Sequence, residues 1–191
     1  MTTVTIFGNG NMGAALNGLL TSGGATVDHI TSSNQSAAVT GDLVILAVPY
    51  PALRAIAVQY ADQLAGKIVV DITNPLNFET FDSLVVAADG SAATELAVAL
   101  PSSRVLKAFN TNFAATLQAG SIGSNPTTVL VAGDDADAKA ELIEAVTVGG
   151  LQAVDAGSLR RARELEAIGL LQLTLAGSEK IGWTGGLALV S

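Results

Sequence analysis

At 191 residues the chain is long enough for one well-cored domain and too short for two comfortable ones. Hydrophobic residues make up 49% of it and charged residues 14%, which excludes a disordered chain. The net charge of −8 argues against a nucleic-acid partner, which needs a basic face. The absence of cysteine removes disulfides, thiolate nucleophiles, iron–sulfur clusters and most zinc sites. With His29 as the single histidine and no acidic cluster, no metal site is expected. No apolar stretch reaches the roughly 18 residues that cross a bilayer. Met1-Thr2-Thr3 runs directly into an apolar strand, with neither a basic region nor a cleavage site. A cytoplasmic protein with no membrane partner is therefore expected.

The first predicted strand, Thr3–Phe7, breaks into Gly8-Asn9-Gly10-Asn11-Met12-Gly13 and then into a helical pattern over Asn11–Leu20. A lone GxGxxG carries little weight, because turns often need glycine. Here a strand precedes it, an amphipathic helix follows, and a second strand, Ala25–Ile30, comes next, the context of a dinucleotide-binding turn. Gly8 permits the tight turn, Gly10 lets a pyrophosphate approach the backbone, and Gly13 lets helix pack on sheet. The first lysine or arginine of the chain is Arg54, so a phosphate bound before it must rely on backbone N–H groups and a helix N-terminus.

Further strands are predicted over Asp42–Val48, Lys67–Ile72, Arg104–Phe109, Thr128–Ala132 and Leu151–Asp155, several of them continuous apolar runs suited to a covered parallel sheet. Helical patterns lie between them at Pro51–Leu64, Ala92–Leu100, Phe113–Ala119 and Asp135–Val148, with a longer one from Ser158 to about Ala176. The fold class is α/β, a Rossmann-type doubly wound, mostly parallel sheet with a C-terminal helical extension. A single NAD(P)-binding domain over residues 1–191 is expected, with an α/β core over 1–157 and a helix and tail over 158–191. Only the eleven residues Thr31–Gly41 separate the second and third strands, so the usual crossover helix and extra strand do not fit there. Ala25–Ile30 should then lie at a sheet edge, opening the adenosine side of a cofactor to solvent.

An enzyme preferring NAD usually carries an acid at the end of the second strand. This chain has Thr31-Ser32-Ser33-Asn34 there, and no arginine for a 2′-phosphate; Asp28 lies within the strand. Hydroxyl and amide donors tolerate a phosphate better than a carboxylate would, which favours NADP without excluding NAD. The strand ends release Ala47-Val48-Pro49-Tyr50, Thr73-Asn74-Pro75-Leu76-Asn77 and Asn110-Thr111-Asn112, which bear amides, hydroxyls and prolines. Such a cleft is poor in nucleophiles and general bases but suits hydride transfer between flat rings. No catalytic residue is nominated. Lys107 is open between a reach into the cleft and a buried structural contact, Asp71 between proton transfer and fixing its turn, and Tyr50 between cofactor contact and surface packing. On the last helix, Leu159, Ala162, Leu165, Ile168, Leu171 and Leu175 form the expected apolar face, with a basic rim of Arg160, Arg161 and Arg163. That rim is either solvated or an attractor for an anionic tail of a second substrate.

The segments GNGNMGAAL, ILAVPYPALRAI, GKIVVDITNPL, KAFNT, VAGDDADAK and DAGSLRRARELE, in this order, resemble the NADP oxidoreductases that use 8-hydroxy-5-deazaflavin (coenzyme F420). They are also similar to the cytosolic reductase domain of membrane metalloreductases, which passes electrons from NADPH to flavin. The resemblance implies NADP as cofactor and a deazaflavin or flavin as second substrate. Carried over by position, it implies that Asn9, Gly10, Asn11 and Met12 hold the phosphates and that Thr31 and Ser32, with Ser33 beside them, meet the 2′-phosphate. Val48 and Pro49, with Ala47 before them, would flank the nicotinamide, and Asn74, Phe109 and Asn110 would lie nearby. The chain departs from the family where Thr31-Ser32 replaces a common Ser-Arg. Two other readings remain open: a non-catalytic dinucleotide-binding sensor or partner module, and a small-substrate dehydrogenase completed by a homodimer.

Overall fold

In this computed structural model, residues 2–190 are described; Met1 and Ser191 lie outside them. The chain runs through β1 (Thr3–Phe7), α1 (Asn11–Ser22), β2 (Thr26–Ile30), β3 (Leu43–Leu46), a 3₁₀ turn at Tyr50–Ala52 and α2 (Leu53–Leu64). It continues through β4 (Ile68–Asp71), α3 (Ala92–Ala99), β5 (Arg104–Lys107), α4 (Ala114–Ala119), and a small hairpin of β6 (Ser121–Ile122) and β7 (Asn125–Pro126). The last elements are β8 (Thr128–Gly133), α5 (Ala136–Val148), β9 (Gln152–Gly157), a second 3₁₀ turn at Leu159–Arg161, and α6 (Ala162–Gly177).

Seven strands form one sheet in the order β2-β1-β3-β4-β5-β8-β9. The first five run parallel, whereas β8 pairs antiparallel with β5 and carries β9 parallel beside it. The sheet is therefore mostly parallel, and the reversal at β8 comes with the intervening β6–β7 hairpin, which the sequence pattern does not reveal.

Strand alternation separates two cores. Val4, Ile6, Leu43, Ile45, Ile68 and Val70 pack under α1, α4 and α5, while Phe7, Val44, Leu46 and Val69 pack under α2 and α3. Both faces are covered, which is why these strands read as continuous apolar runs. As expected, β2 is an edge strand, and Thr31–Gly41 forms no helix. That connection instead lies against α2: Gln59 Nε2 donates to Gln35 O at 2.9 Å, Tyr60 Oη donates to the same carbonyl, and Val39 N–H donates to Gln63 Oε1 at 2.9 Å. Gly41 then returns to the sheet through its N–H, which donates to buried Thr5 Oγ1 at 2.9 Å.

The expected apolar face of the last helix holds at its start, where Leu159, Ala162 and Leu165 are buried, and needs correction beyond it, where Ile168 and Leu175 are only half-buried. The buried stripe of α6 is Ala162, Leu165, Glu166, Gly169, Gln172 and Ala176, whereas Leu171 is exposed. A stripe with a carboxylate and an amide in it violates hydrophobic periodicity, so counting leucines misplaces the face over the second half of the helix. Among the described residues, no helix is long and apolar enough to cross a membrane.

Candidate functional site

The turn after β1 is fixed from three sides. Gly8 adopts φ +101, its N–H donates to Ile30 O at 2.8 Å, and its carbonyl meets His29 Nδ1 at 2.8 Å. Gly13 packs so closely on this turn that a β-carbon there would lie 2.6 Å from Gly8 O. Gly10 is the N-cap of α1 and has nothing within 4 Å of the place a β-carbon would take. No side chain caps α1, and its first turn carries no acid. The arrangement presents uncapped N–H groups and the positive end of a twelve-residue helix to an open space, the physical requirement for an anion.

On one side of that helix end lies a cleft of about 430 Å³, bordered by Gly8, Asn9, Gly10, Thr31, Ser32, Ala47, Val48 and Pro49. Ile30, Ile56 and Tyr60 supply its apolar wall. The adjacent loop is held by its own polar groups: Thr31 Oγ1 donates to Asn34 Oδ1 at 3.0 Å and bonds Ser33 Oγ at 2.8 Å, and Asn34 Nδ2 donates to His29 O at 3.1 Å. Ser33 is thereby engaged within the loop and does not border the cleft, while Ser32 does and is exposed.

On the other side lies a second cleft of about 360 Å³, where Asn11, Met12, Asn74, Phe109 and Asn110 meet. Fourteen of the fifteen residues expected from sequence thus fall around one helix end, eight in the first cleft, five in the second and Gly13 packed beneath the turn; Ser33 borders neither cleft. Phe109, fully buried, has φ +61, and Asn110 N–H donates across it to Ala108 O at 2.8 Å. Such a conformation costs about 1–3 kcal/mol and is held only where surroundings over-determine it. It aims Asn110 at its partners: Asn110 Nδ2 donates to Asn74 Oδ1 at 2.9 Å and to Leu165 O at 2.8 Å, and Asn74 Nδ2 donates back to Asn110 O at 2.8 Å. The oxygens Asn110 Oδ1 and Asn112 Oδ1 have no protein partner.

Sequence reasoning missed the far wall. Phe113 packs against Trp183 with ring centroids 5.1 Å apart and planes tilted by 55°, and both border this second cleft together with Leu173 of α6. The tail that carries Trp183 is tied down by Gln172, whose Nε2 donates to Thr111 O at 3.1 Å and whose Oε1 accepts from Leu187 N–H at 3.1 Å. Trp183 is the single tryptophan of the chain, the one signal in the sequence that could have drawn attention to the tail.

Lys107 and Asp71 do not reach either cleft. Lys107 Nζ is fully buried and donates to Asp71 Oδ2 at 2.8 Å, Thr73 O at 2.6 Å and Glu166 Oε1 at 2.7 Å, which uses all three of its N–H groups. Asp71 Oδ1 accepts from Thr73 N–H at 2.8 Å, so the carboxylate does fix its turn. Burial pushes the Glu166 carboxyl above its ordinary range, and the Lys107 ammonium opposes that rise. Tyr50 points elsewhere: its Oη donates to Glu95 Oε2 at 2.6 Å, and burial, then the Glu95 carboxylate, push its phenol up to about 12. Among the described residues, no group of His, Asp and Glu is placed to hold a metal ion. With no ionisable side chain bordering the second cleft, the site can position and stack but has no acid, base or nucleophile to offer there.

Comparison with known proteins bears on this arrangement. Residues 24–75 match the family described as NADP oxidoreductase, coenzyme F420-dependent. The F420-dependent NADP reductase of Methanocaldococcus jannaschii is 36% identical over 168 residues, covering 85% of this chain and 74% of that protein. Metalloreductase STEAP3 of Rattus norvegicus is 44% identical over 110 residues, 58% of this chain but 21% of that protein. The crystal structure of an Arthrobacter sp. FB24 protein assigned as an F420-dependent NADP reductase superposes with a TM-score of 0.87 at 23% identity, over 100% of each chain, and shows the shared fold. The glycine turn, the clefts either side of it and a likeness spanning most of both chains lead to one conclusion: this protein belongs to the F420-dependent NADP reductase family of oxidoreductases.

Proposed function

We propose that the protein binds NADP(H) across the N-terminus of α1 and transfers a hydride between its nicotinamide and a deazaflavin or flavin ring. The observation that carries this reading is the pair of clefts that meet at one uncapped helix end. The pyrophosphate lies over Gly10–Met12, and the adenosine occupies the cleft of Thr31 and Ser32, with Ile56 and Tyr60 beside the adenine. The nicotinamide reaches past Val48 and Pro49 toward Asn74 and Asn110, whose unpartnered Oδ1 suits the amide protons of a carboxamide. The acceptor ring lies between the nicotinamide and the Phe113–Trp183 pair.

Within the single domain proposed for residues 1–191, the α/β core of 1–157 supplies the turn, and 158–191 supplies Leu173 and Trp183. Hydride transfer asks the protein for distance and orientation and requires no general base, in keeping with a cleft lacking ionisable groups. The cofactor's own chemistry supplies the reducing equivalent. The test is a titration with NADPH and NADH followed through Trp183 emission, then a screen of deazaflavin, FMN and FAD for oxidation of the bound reduced cofactor. Cofactor binding with acceptor-dependent oxidation is expected. Saturating cofactor with no turnover on any of the three would refute the hydride-transfer reading and leave a binding module.

A further inference from the structure

Glu166 stands at the centre of a buried network that neither cleft uses directly. Its Oε1 accepts from Lys107 Nζ at 2.7 Å and its Oε2 accepts from Ala92 N–H at 3.0 Å. Glu166, Lys107 and Asp71 are all wholly buried, and each of their charged atoms has a partner within the protein. Two carboxylates face one ammonium, so the network carries an excess negative charge. That excess lies at the first helical residue of α3, where the positive end of the helix offsets it.

A residue on α6 is thereby joined to three other elements, the ends of β4 and β5 and the start of α3. The next residues of β4 and β5 in the chain direction are those that border the nicotinamide side. Either side of Glu166, α6 touches the same pair of amides. Leu165 O accepts from Asn110 Nδ2 at 2.8 Å, and one turn later a β-carbon on Gly169 would lie 2.2 Å from Asn74 Oδ1. Further along, Gln172 ties down the tail that brings Trp183 against Phe113. A helix held only by apolar contacts can slide by a fraction of an ångström. A fully desolvated ion pair with all hydrogen bonds met resists that slide, because displacement strands a buried charge.

We propose that Glu166 is a positioning residue, whose buried carboxylate bolts α6 to the ends of β4 and β5 and so sets where Asn74 and Asn110 present their amides to the nicotinamide. This rests on the cofactor reading above. Glu166 touches no substrate; it acts through the two asparagines on one side and through the tail on the other.

The test compares wild type with Glu166→Gln and Gly169→Ala. The first opposes an amide N–H to Lys107 or Ala92 N–H; the second pushes α6 off Asn74 and leaves the ions alone. Both should lower kcat by about tenfold to a hundredfold, the order expected for small misplacement of reacting groups. Both should keep the NADPH dissociation constant close to that of wild type, since the phosphate turn lies on other elements. A merely structural role would lower binding and turnover together, through a smaller folded fraction. A wild-type kcat in folded Glu166→Gln, or parallel losses of affinity and kcat in both variants, overturns the proposal. Should Glu166→Gln not fold, Gly169→Ala decides alone: a wild-type kcat there overturns it. Should wild type itself turn over no acceptor, the hydride-transfer reading falls separately. Acrylamide quenching of Trp183 then reads the bolt without catalysis, expected faster in both variants and unchanged if α6 positions nothing.

Discussion

Gly8 faces Ala47 so closely that a β-carbon on it would lie 2.2 Å from the Ala47 carbonyl oxygen, whereas Gly10, two residues on, faces nothing within 4 Å. The two glycines are thus required for different reasons. Gly8→Ala adds that clash to a positive φ and should destabilise the fold by at least about 1–3 kcal/mol, read as a lower denaturant midpoint. Gly10→Ala has room, and as an N-cap change should cost no more than about 1 kcal/mol. Its methyl group would occupy the approach of the pyrophosphate, so NADPH affinity should fall at least about tenfold, near 1.4 kcal/mol. A Gly10→Ala protein that binds NADPH normally would place the phosphates elsewhere.

Ser32 is an exposed loop residue that borders the cleft proposed for the adenosine, and neither an acid nor a cation is among that cleft's lining residues. Ser32→Arg should strengthen NADPH binding by about 1–3 kcal/mol through a charge-assisted pair with the 2′-phosphate, and should leave NADH unaffected. Fluorescence titration of both cofactors checks this, and equal effects on the two would mean that Ser32 does not face the 2′ position.

Lys107→Met removes the one cation between two buried carboxylates. Breaking a buried pair by deleting one partner costs about 3–5 kcal/mol. The pH dependence follows from the raised folded value of Glu166, which burial causes and Lys107 restrains. Without Lys107 the rise is larger, so the folded variant takes up a proton that the unfolded chain, with an ordinary carboxyl, does not hold at the same pH. Its destabilisation relative to wild type should therefore shrink as pH falls from neutral toward the ordinary carboxylate range, in urea titrations at a series of pH values. A deficit independent of pH would mean that Glu166 does not carry the stranded charge.

Tyr50 donates to Glu95, and its phenol lies at about 12 in place of 10.0. Because the folded value is raised, the stabilisation it brings is complete below pH 10 and is lost as pH rises through the folded value. In a Tyr60→Phe background Tyr50 is the remaining tyrosine, so ultraviolet titration should show one ionisation near pH 12. Adding Glu95→Gln should bring that ionisation down. No change on adding Glu95→Gln would mean the hydrogen bond does not persist in solution.

The fold was legible because its signals are local. Val4, Ile6, Leu43, Ile45, Ile68 and Val70 belong to apolar runs that suit a sheet covered on both faces, and the glycine spacing marks the first turn. The eleven residues of Thr31–Gly41 leave room for no crossover helix, and β2 accordingly ends the sheet. The reversal of β8 left no comparable trace, since its apolar run reads the same in either direction. The later part of the α6 face escapes periodicity for a related reason: Glu166 and Gln172 count as polar in any periodicity, although both are buried against specific partners.

Backbone requirements are therefore determined by the sequence alone. Glycines at 8, 10 and 13, the late first cation at Arg54 and a run of small amide and hydroxyl residues define a neutral turn of the kind that suits a phosphate, because each is a property of the local sequence. Only the tertiary structure decided what Lys107 does, since its partners Asp71 and Glu166 are 36 and 59 residues away. The same holds for the Phe113–Trp183 wall and for the pairing of Asn74 with Asn110. Such contacts depend on how separate elements dock, and docking is set by the whole core, which leaves no periodic signature at the residues concerned.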